Sequence, residues 1–411
     1  MLQQYALVET RCPKSKEQGS VAVISDFGFR PSFGFRISDF GLGGRSNFSA
    51  LVLLAAFVAL TAYAADLPSD PRGRQFIGFA SFETFATTPG RSSDQTLLTS
   101  PEINARIKFD EIIVSWNAQA PAGSYLIFEA RAFYSNLTTK YYTLGIWCAD
   151  PAHRSRRSVA NQDDADGSVA TDVLNLKHAT DCLQVRVSLF TGGALKPSLK
   201  FLGISLADTK TSFPELEPNR AAWGQLIPVP ERSQMKYPNG KVLCSPTTVS
   251  MLLAYWAETL KRPDLDRAVP DVAAAVYDSQ WEGTGNWPFN TAFVGSIEGM
   301  RAYITRFSDI SELETWVAHK IPLGLSLDYD RLRGKGPGPN GHIAACVGFT
   351  KEGDPIINDP GTSEHVRKVF PRKNLVDAWG CSKNTVYVLY PESYATPEDR
   401  FVHWDSAKTR R

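Results

Sequence analysis

The hydrophobic period of this chain changes along its length, and that change limits what it can fold into. Over residues 76–206 the apolar positions alternate or come in short β-branched and aromatic bursts, as in Gln184-Val185-Arg186-Val187-Ser188-Leu189. Segments 111–116, 125–134, 141–147, 182–189 and 199–206 read as strands, with Gly, Pro, Asn and Asp gathered between them. Regularly spaced strands of this kind predict an all-β sandwich over 65–207. Past Cys244 the period lengthens. Val249, Leu252, Leu253 and Trp256 form an i, i+3, i+4, i+7 stripe, and Met251, Ala254 and Tyr255 widen it into a central buried helix. A second stripe runs Phe293, Ile297, Met300, Ile304, and a third helix carries Leu313, Trp316 and Val317 behind a capping box of Asp309 and Glu312. The period then shortens to strand at 321–327, 342–349, 354–358 and 385–390. Helices followed by strands on short turns predict an α+β domain with an antiparallel sheet over 224–396. The polar, Pro-containing stretch 208–223 reads as the linker and 397–411 as a polar tail.

Length and charge add bounds. A chain of 411 residues fits two or three domains, and 43% hydrophobic with 21% charged residues is an ordinary globular composition. A net charge of +1, with no basic stripe interleaved with aromatics, argues against nucleic-acid binding. The apolar run 50–60 follows Arg45 and precedes Ala62-Tyr63-Ala64. It reads as a secretory signal peptide cleaved after Ala64, since a membrane span needs about 20 apolar residues. The expected location is therefore secreted, periplasmic or in the cell envelope. The leader 1–64 also holds a near-repeat, Ile24-Ser25-Asp26-Phe27-Gly28 and Ile37-Ser38-Asp39-Phe40-Gly41, and we expect it to reflect a misassigned start.

Cys148 and Cys182 are candidates for a disulfide after export, although spacing alone does not establish one. Cys346 and Cys381 lie in apolar runs and read as buried structural thiols. With no C-x-x-C pair, a zinc site is not indicated. The acidic run Asn161-Gln162-Asp163-Asp164-Ala165-Asp166-Gly167 fails the EF-hand pattern and reads as a hairpin connection.

Chemistry concentrates at three places. Cys244 opens the central helix, where unpaired N–H groups and the helix dipole favour a thiolate. His342 opens one strand and Asp359 closes the next, in Gly341-His342-Ile343 and Asn358-Asp359-Pro360. An imidazole beside a thiol supplies a base and then an acid, and a third group fixes its tautomer. Simple hairpin register places Asp359 nearer Cys346 than His342, so a direct contact requires a bend, bulge or offset.

These segments, with Val229-Pro230-Glu231-Arg232-Ser233-Gln234, Cys244-Ser245-Pro246-Thr247-Thr248 and Gly283-Thr284-Gly285-Asn286-Trp287-Pro288-Phe289, resemble the C39-like peptidase family over about 228–391. The region before them looks like the accessory domain that precedes such peptidases. The resemblance implies a papain-like fold and an acyl-thioester route to peptide or amide hydrolysis. In it Cys244 is nucleophile, His342 base then acid, Asp359 orienter and Gln234 oxyanion donor. It implies no metal or organic cofactor. Ser245 stands where Gly commonly follows the family's nucleophile, and the loop from Gln234 to Cys244 looks long. The partners expected are a peptide or protein substrate and a glycan or protein ligand for the sandwich, on a monomer with no stable membrane span after cleavage. The rival readings are acyl transfer or transpeptidation on the same thiol, and a catalytically inactive peptide- or glycan-binding protein. Loop 334–341 is a candidate cleft wall, and Trp281, Trp287 and Phe289 are candidates to line a groove or to pack.

Overall fold

The computed structural model describes residues 70–151 and 154–411. The leader, the apolar run 50–60 and Cys12 lie outside the described residues. Ten strands fill the first part: β1 (Arg74–Phe79), β2 (Ala86–Pro89), β3 (Gln95–Thr99), β4 (Ile103–Gln119), β5 (Tyr125–Tyr134), β6 (Leu137–Thr138), β7 (Tyr142–Trp147), β8 (Gly167–Ala170), β9 (Val173–Phe190) and β10 (Ser198–Ala207). All pair antiparallel within one hydrogen-bonded sheet, in the order β1-β10-β4-β9-β3-β2, with β5 and β8 also on β9 and with β6 and β7 on β5. The expected sandwich is thus not two separate sheets but one branched sheet. It doubles over itself: Trp116 of β4 stacks on Phe128 of β5, centroids 3.9 Å apart, although β4 and β5 share no ladder. Burial along β4 alternates up to Lys108 and is then continuous from Phe109 to Ala118. One-sided cover therefore becomes two-sided along a single strand.

The second part carries α1 (Cys244–Leu260), α2 (Val269–Val276), α3 (Trp287–Ser296), β11 (Met300–Arg306), α4 (Ile310–Ala318), β12 (Leu323–Asp328), α5 (Tyr329–Leu332), β13 (Gly341–Phe349), β14 (Pro355–Asn358), β15 (Arg367–Val369), α6 (Arg372–Gly380) and β16 (Thr385–Pro391). The strands form an antiparallel sheet in the order β11-β16-β12-β13-β14-β15. Helix α1 lies on this sheet, tied by Trp256 Nε1 to the Leu389 carbonyl (2.9 Å) and by Thr248 Oγ1 to that of Ile343 (2.9 Å). The stripe Phe293, Ile297, Met300, Ile304 is not one helix. Helix α3 ends at Ser296, Ile297 is extended, Gly299 turns with φ +76°, and Met300 begins a strand. A stretch buried on both faces shows no clear alternation, so its strand period was hidden.

All described residues fall in one compact unit. Stretch 208–223 is pinned rather than free: Thr209 bonds Asp110, Leu216 N–H donates to Asp309 (2.7 Å), and Trp223 Nε1 donates to Glu314 (2.7 Å). The segment expected as a polar tail is packed in as well. Phe401, Val402, His403, Trp404 and Asp405 are buried, and Arg410 bridges to Gly78 along the open side of β1. Its aromatic and apolar residues fill a gap between α4 and the start of β1, which composition alone did not show. The two parts meet strand to strand. Asn117 on β4 donates to the Ala302 carbonyl of β11 (2.6 Å) and accepts from its N–H (3.2 Å), and Ser115 Oγ accepts from Ile304 N–H (3.3 Å). Cys148 and Cys182 are both free thiols, so the candidate disulfide is absent. In the acidic run, Asp164 is taken by Tyr142 Oη (2.6 Å), Lys140 (2.7 Å) and the N–H groups of Asp166 and Gly167, which makes the run a hydrogen-bonded turn. Among the described residues no cluster suited to a metal occurs, and no helix is long and apolar enough to cross a membrane.

Candidate active site

Cys244 begins α1, and no side chain caps that helix. The first-turn N–H groups stay open to an anion, and Ser245 N–H and Ile343 N–H both face the Cys244 sulfur. His342 is the second residue of β13, directly across from Leu327. The Thr248–Ile343 bond ties the helix of Cys244 to the strand of His342.

The meeting of His342 with Asp359 depends on one extra residue. At the far end of the β13–β14 hairpin Phe349 pairs with Pro355 and Gly348 with Ile356, but beyond a bulge Cys346 pairs with Ile357 and Ala345 with Asn358. Continuing the first register would bring Asp359 opposite Ala345, on the face away from His342. The bulge at Val347 moves it opposite Ala344, on the same face as His342 and diagonal to it. His342 Nε2 then donates to Asp359 Oδ1 at 2.7 Å, which leaves Nδ1 for the thiol. Both residues are buried, and Cys244 is half-buried.

Two further donors fix the carboxylate. Gly361 N–H reaches Oδ1 (2.9 Å) and Tyr329 Oη reaches Oδ2 (3.0 Å), alongside the imidazole. Burial alone would raise the Asp359 carboxyl, but the bond from His342 and these others hold it below its ordinary value. Burial pulls His342 down, yet hydrogen bonds with Asp359 and Cys244 outweigh it and carry the imidazole up to about 9. Burial raises the Cys244 thiol, and the facing His342 more than offsets this, so the thiol sits below its usual range. Both shifts favour a thiolate beside an imidazolium. Cys346, buried with no cation beside it, is pushed up to about 12 and is inert.

Gln234 lies in a 3-10 turn (Gln234–Lys236) and is buried. Its N–H bonds the carbonyl of Pro360, the residue after Asp359 (3.0 Å). The long loop to Cys244 is compact: a second 3-10 turn (Gly240–Val242) packs on the first. A side chain at Gly240 would meet the Gln234 carbonyl at 2.3 Å. Among the described residues the Gln234 side-chain amide makes no hydrogen bond, and its Oε1 is buried without a partner. Ser245, in the family's Gly position, pairs its hydroxyl with Tyr387 Oη (3.0 Å) in the buried layer between α1 and β16.

Tyr329 was missed. Its ring stacks on the His342 imidazole, centroids 4.1 Å apart at 28°, while its hydroxyl holds Asp359. The available signal was positional, an aromatic just past the end of the strand paired with the His strand. Of the groove candidates, Phe289 is a packing residue, fully buried against Trp116 and Trp147, whereas Trp281 and Trp287 are half-buried. The loop 334–341 is held back by Gly338 N–H to Asp328 (3.1 Å) and by Asn340 carbonyl to Tyr329 N–H (3.1 Å).

Residues 226–387 match the model of the peptidase C39-like family, and residues 78–207 match that of the peptidase C39 N-terminal domain. A solved structure described as a candidate C39-like peptidase from Bacillus anthracis is similar at 16% identity with a TM-score of 0.31. It covers 40% of this chain and 98% of its own, and is too distant to argue from. No curated protein matches. In chain order, then, this protein is similar to a peptidase C39 N-terminal domain and next to the C39-like peptidase family, and the second match spans Cys244, His342 and Asp359.

Proposed function

We propose that the protein is a cysteine peptidase that cleaves peptide or amide bonds through an acyl-thioester on Cys244. One observation carries this: Cys244 faces an imidazole whose other nitrogen is held at 2.7 Å by a buried carboxylate, the arrangement of a nucleophile, its base and the group that orients the base. The thiolate attacks the scissile carbonyl. His342 gives its proton to the leaving amine, then takes one from the water that releases the acid. Asp359 keeps the imidazole in the tautomer with Nδ1 toward sulfur. The uncommitted amide of Gln234 and a backbone N–H at the start of α1 suit the developing oxyanion. The helix-then-antiparallel-sheet order supports a papain-like fold for 224–396, and the doubled branched sheet supports a sandwich-like N-terminal domain over 65–207. The apolar run with its Ala62-Tyr63-Ala64 motif supports export.

Iodoacetamide should alkylate Cys244 well ahead of the other described cysteines, and Cys244→Ala should lower peptide hydrolysis by about a thousandfold or more. A Cys244 that resists alkylation in the folded protein, together with a variant of full activity, would end this mechanism. Added amine acceptors distinguish hydrolysis from acyl transfer by their appearance in the product.

A further inference from the structure

We propose that Tyr329 is a positioning residue of this site, acting through both His342 and Asp359; the inference rests on the catalytic reading above. Two separate contacts converge on one side chain. The ring lies against the imidazole at 4.1 Å, which limits rotation of His342 about its Cβ–Cγ bond. The hydroxyl donates to Asp359 Oδ2 at 3.0 Å and so reserves Oδ1 for His342 Nε2 and Gly361 N–H. With both oxygens engaged, the carboxylate plane has one orientation. The Arg333 guanidinium covers the Tyr329 ring at 4.0 Å. The Tyr329 ring is thus packed against both Arg333 and His342.

The backbone fixes this ring in place. Asp328, opposite Gly341 in the ladder, accepts the N–H groups of Asp330 (3.0 Å) and Arg331 (3.1 Å) and so starts the turn that presents Tyr329. From the other side a side chain at Gly361 would meet Tyr329 Oη at 2.8 Å and His342 Cε1 at 3.1 Å. The turn after Asp359 therefore closes onto the Tyr329 and His342 rings. The charged and titratable groups around the carboxylate are His342 on β13 and Tyr329 on α5, with Arg333 and Asp330 behind Tyr329.

The test is Tyr329→Phe, which keeps the ring and removes only the hydroxyl. Loss of that donor makes Asp359 easier to protonate, and once protonated it no longer supports the imidazolium that lowers the Cys244 thiol. Site-resolved mass spectrometry of iodoacetamide alkylation at Cys244, across pH 4–9, needs no known substrate. The acid limb of the variant should move up by half to one pH unit, slowing alkylation on that limb by roughly three- to tenfold at an unchanged melting temperature. An acid limb identical to the parent's, with the parent Cys244 reacting fast, overturns the positioning role and leaves the catalytic reading standing. A parent Cys244 that does not react overturns both. If the variant melts early, the acid limb is read below its melting temperature, where a limb identical to the parent's overturns the positioning role just the same.

Discussion

At the scale of residues, burial and pairing oppose one another at His342, and pairing wins. Its folded value of about 9 lies above that of a free imidazole, so the proton is kept through neutrality and lost as pH rises through about 9. Asp359 is depressed and stays ionised on the acid side. Peptide hydrolysis should therefore hold a plateau across neutral pH and fall on an alkaline limb near 9, read from kcat/KM against pH. A limb near 6.5 would mean that His342 is not paired as described. Cys244, His342 and Asp359 were legible in the sequence because each sits in a local context with its own signature: a helix start, a strand start and a turn. Tyr329 was not legible, since its role comes from a ladder partner and a turn that exist only after the sheet has formed.

At the scale of elements, the register of β13 against β14 decides whether the site exists, and a single bulge sets that register. Sequence reasoning required some such device but did not locate it, because Ala344-Ala345-Cys346-Val347-Gly348 is uniformly apolar and buried and carries no face signal. Helix α3 has a different device. Its first N–H, at Trp287, bonds the Asp172 carboxylate from the turn before β9 (2.6 Å). Burial pushes this carboxyl up to about 7, and the Trp287 bond opposes that only in part. Because the folded pKa is raised, the folded state holds the proton more tightly, and stability is lost as pH rises from roughly 4 to 7 and no further above that. Asp172→Asn keeps an acceptor for Trp287 and removes the charge. It should raise the melting temperature at pH 8 by about 3 °C or more and change it far less at pH 4. Equal shifts at the two pH values would count against a buried, charged Asp172.

At the scale of the whole molecule, the two parts that differ in period do not behave as beads on a string. Trp116, Trp147 and Phe289 share one aromatic cluster, and β11 donates to Ser115 and exchanges hydrogen bonds with Asn117 in place of a neighbouring strand. Periodicity located each part, but it cannot report which strand's side chains meet which backbone, so the joint was invisible before the fold. A fragment of residues 224–411 should lose solubility or melt at least 10 °C below the full chain by circular dichroism, since it bares both the cluster and the border of β11. A monomeric fragment with the melting point of the full chain would show that the joint contributes little. Closing that border with side chains also bears on how copies of the protein meet in solution. The sheet that carries His342 and Asp359 is left with β15 as its other border, three residues long and holding Arg367 and Lys368. A short, basic border is a poor template for a strand from another chain, so self-association by strand addition has little place to begin on this sheet while it stays folded.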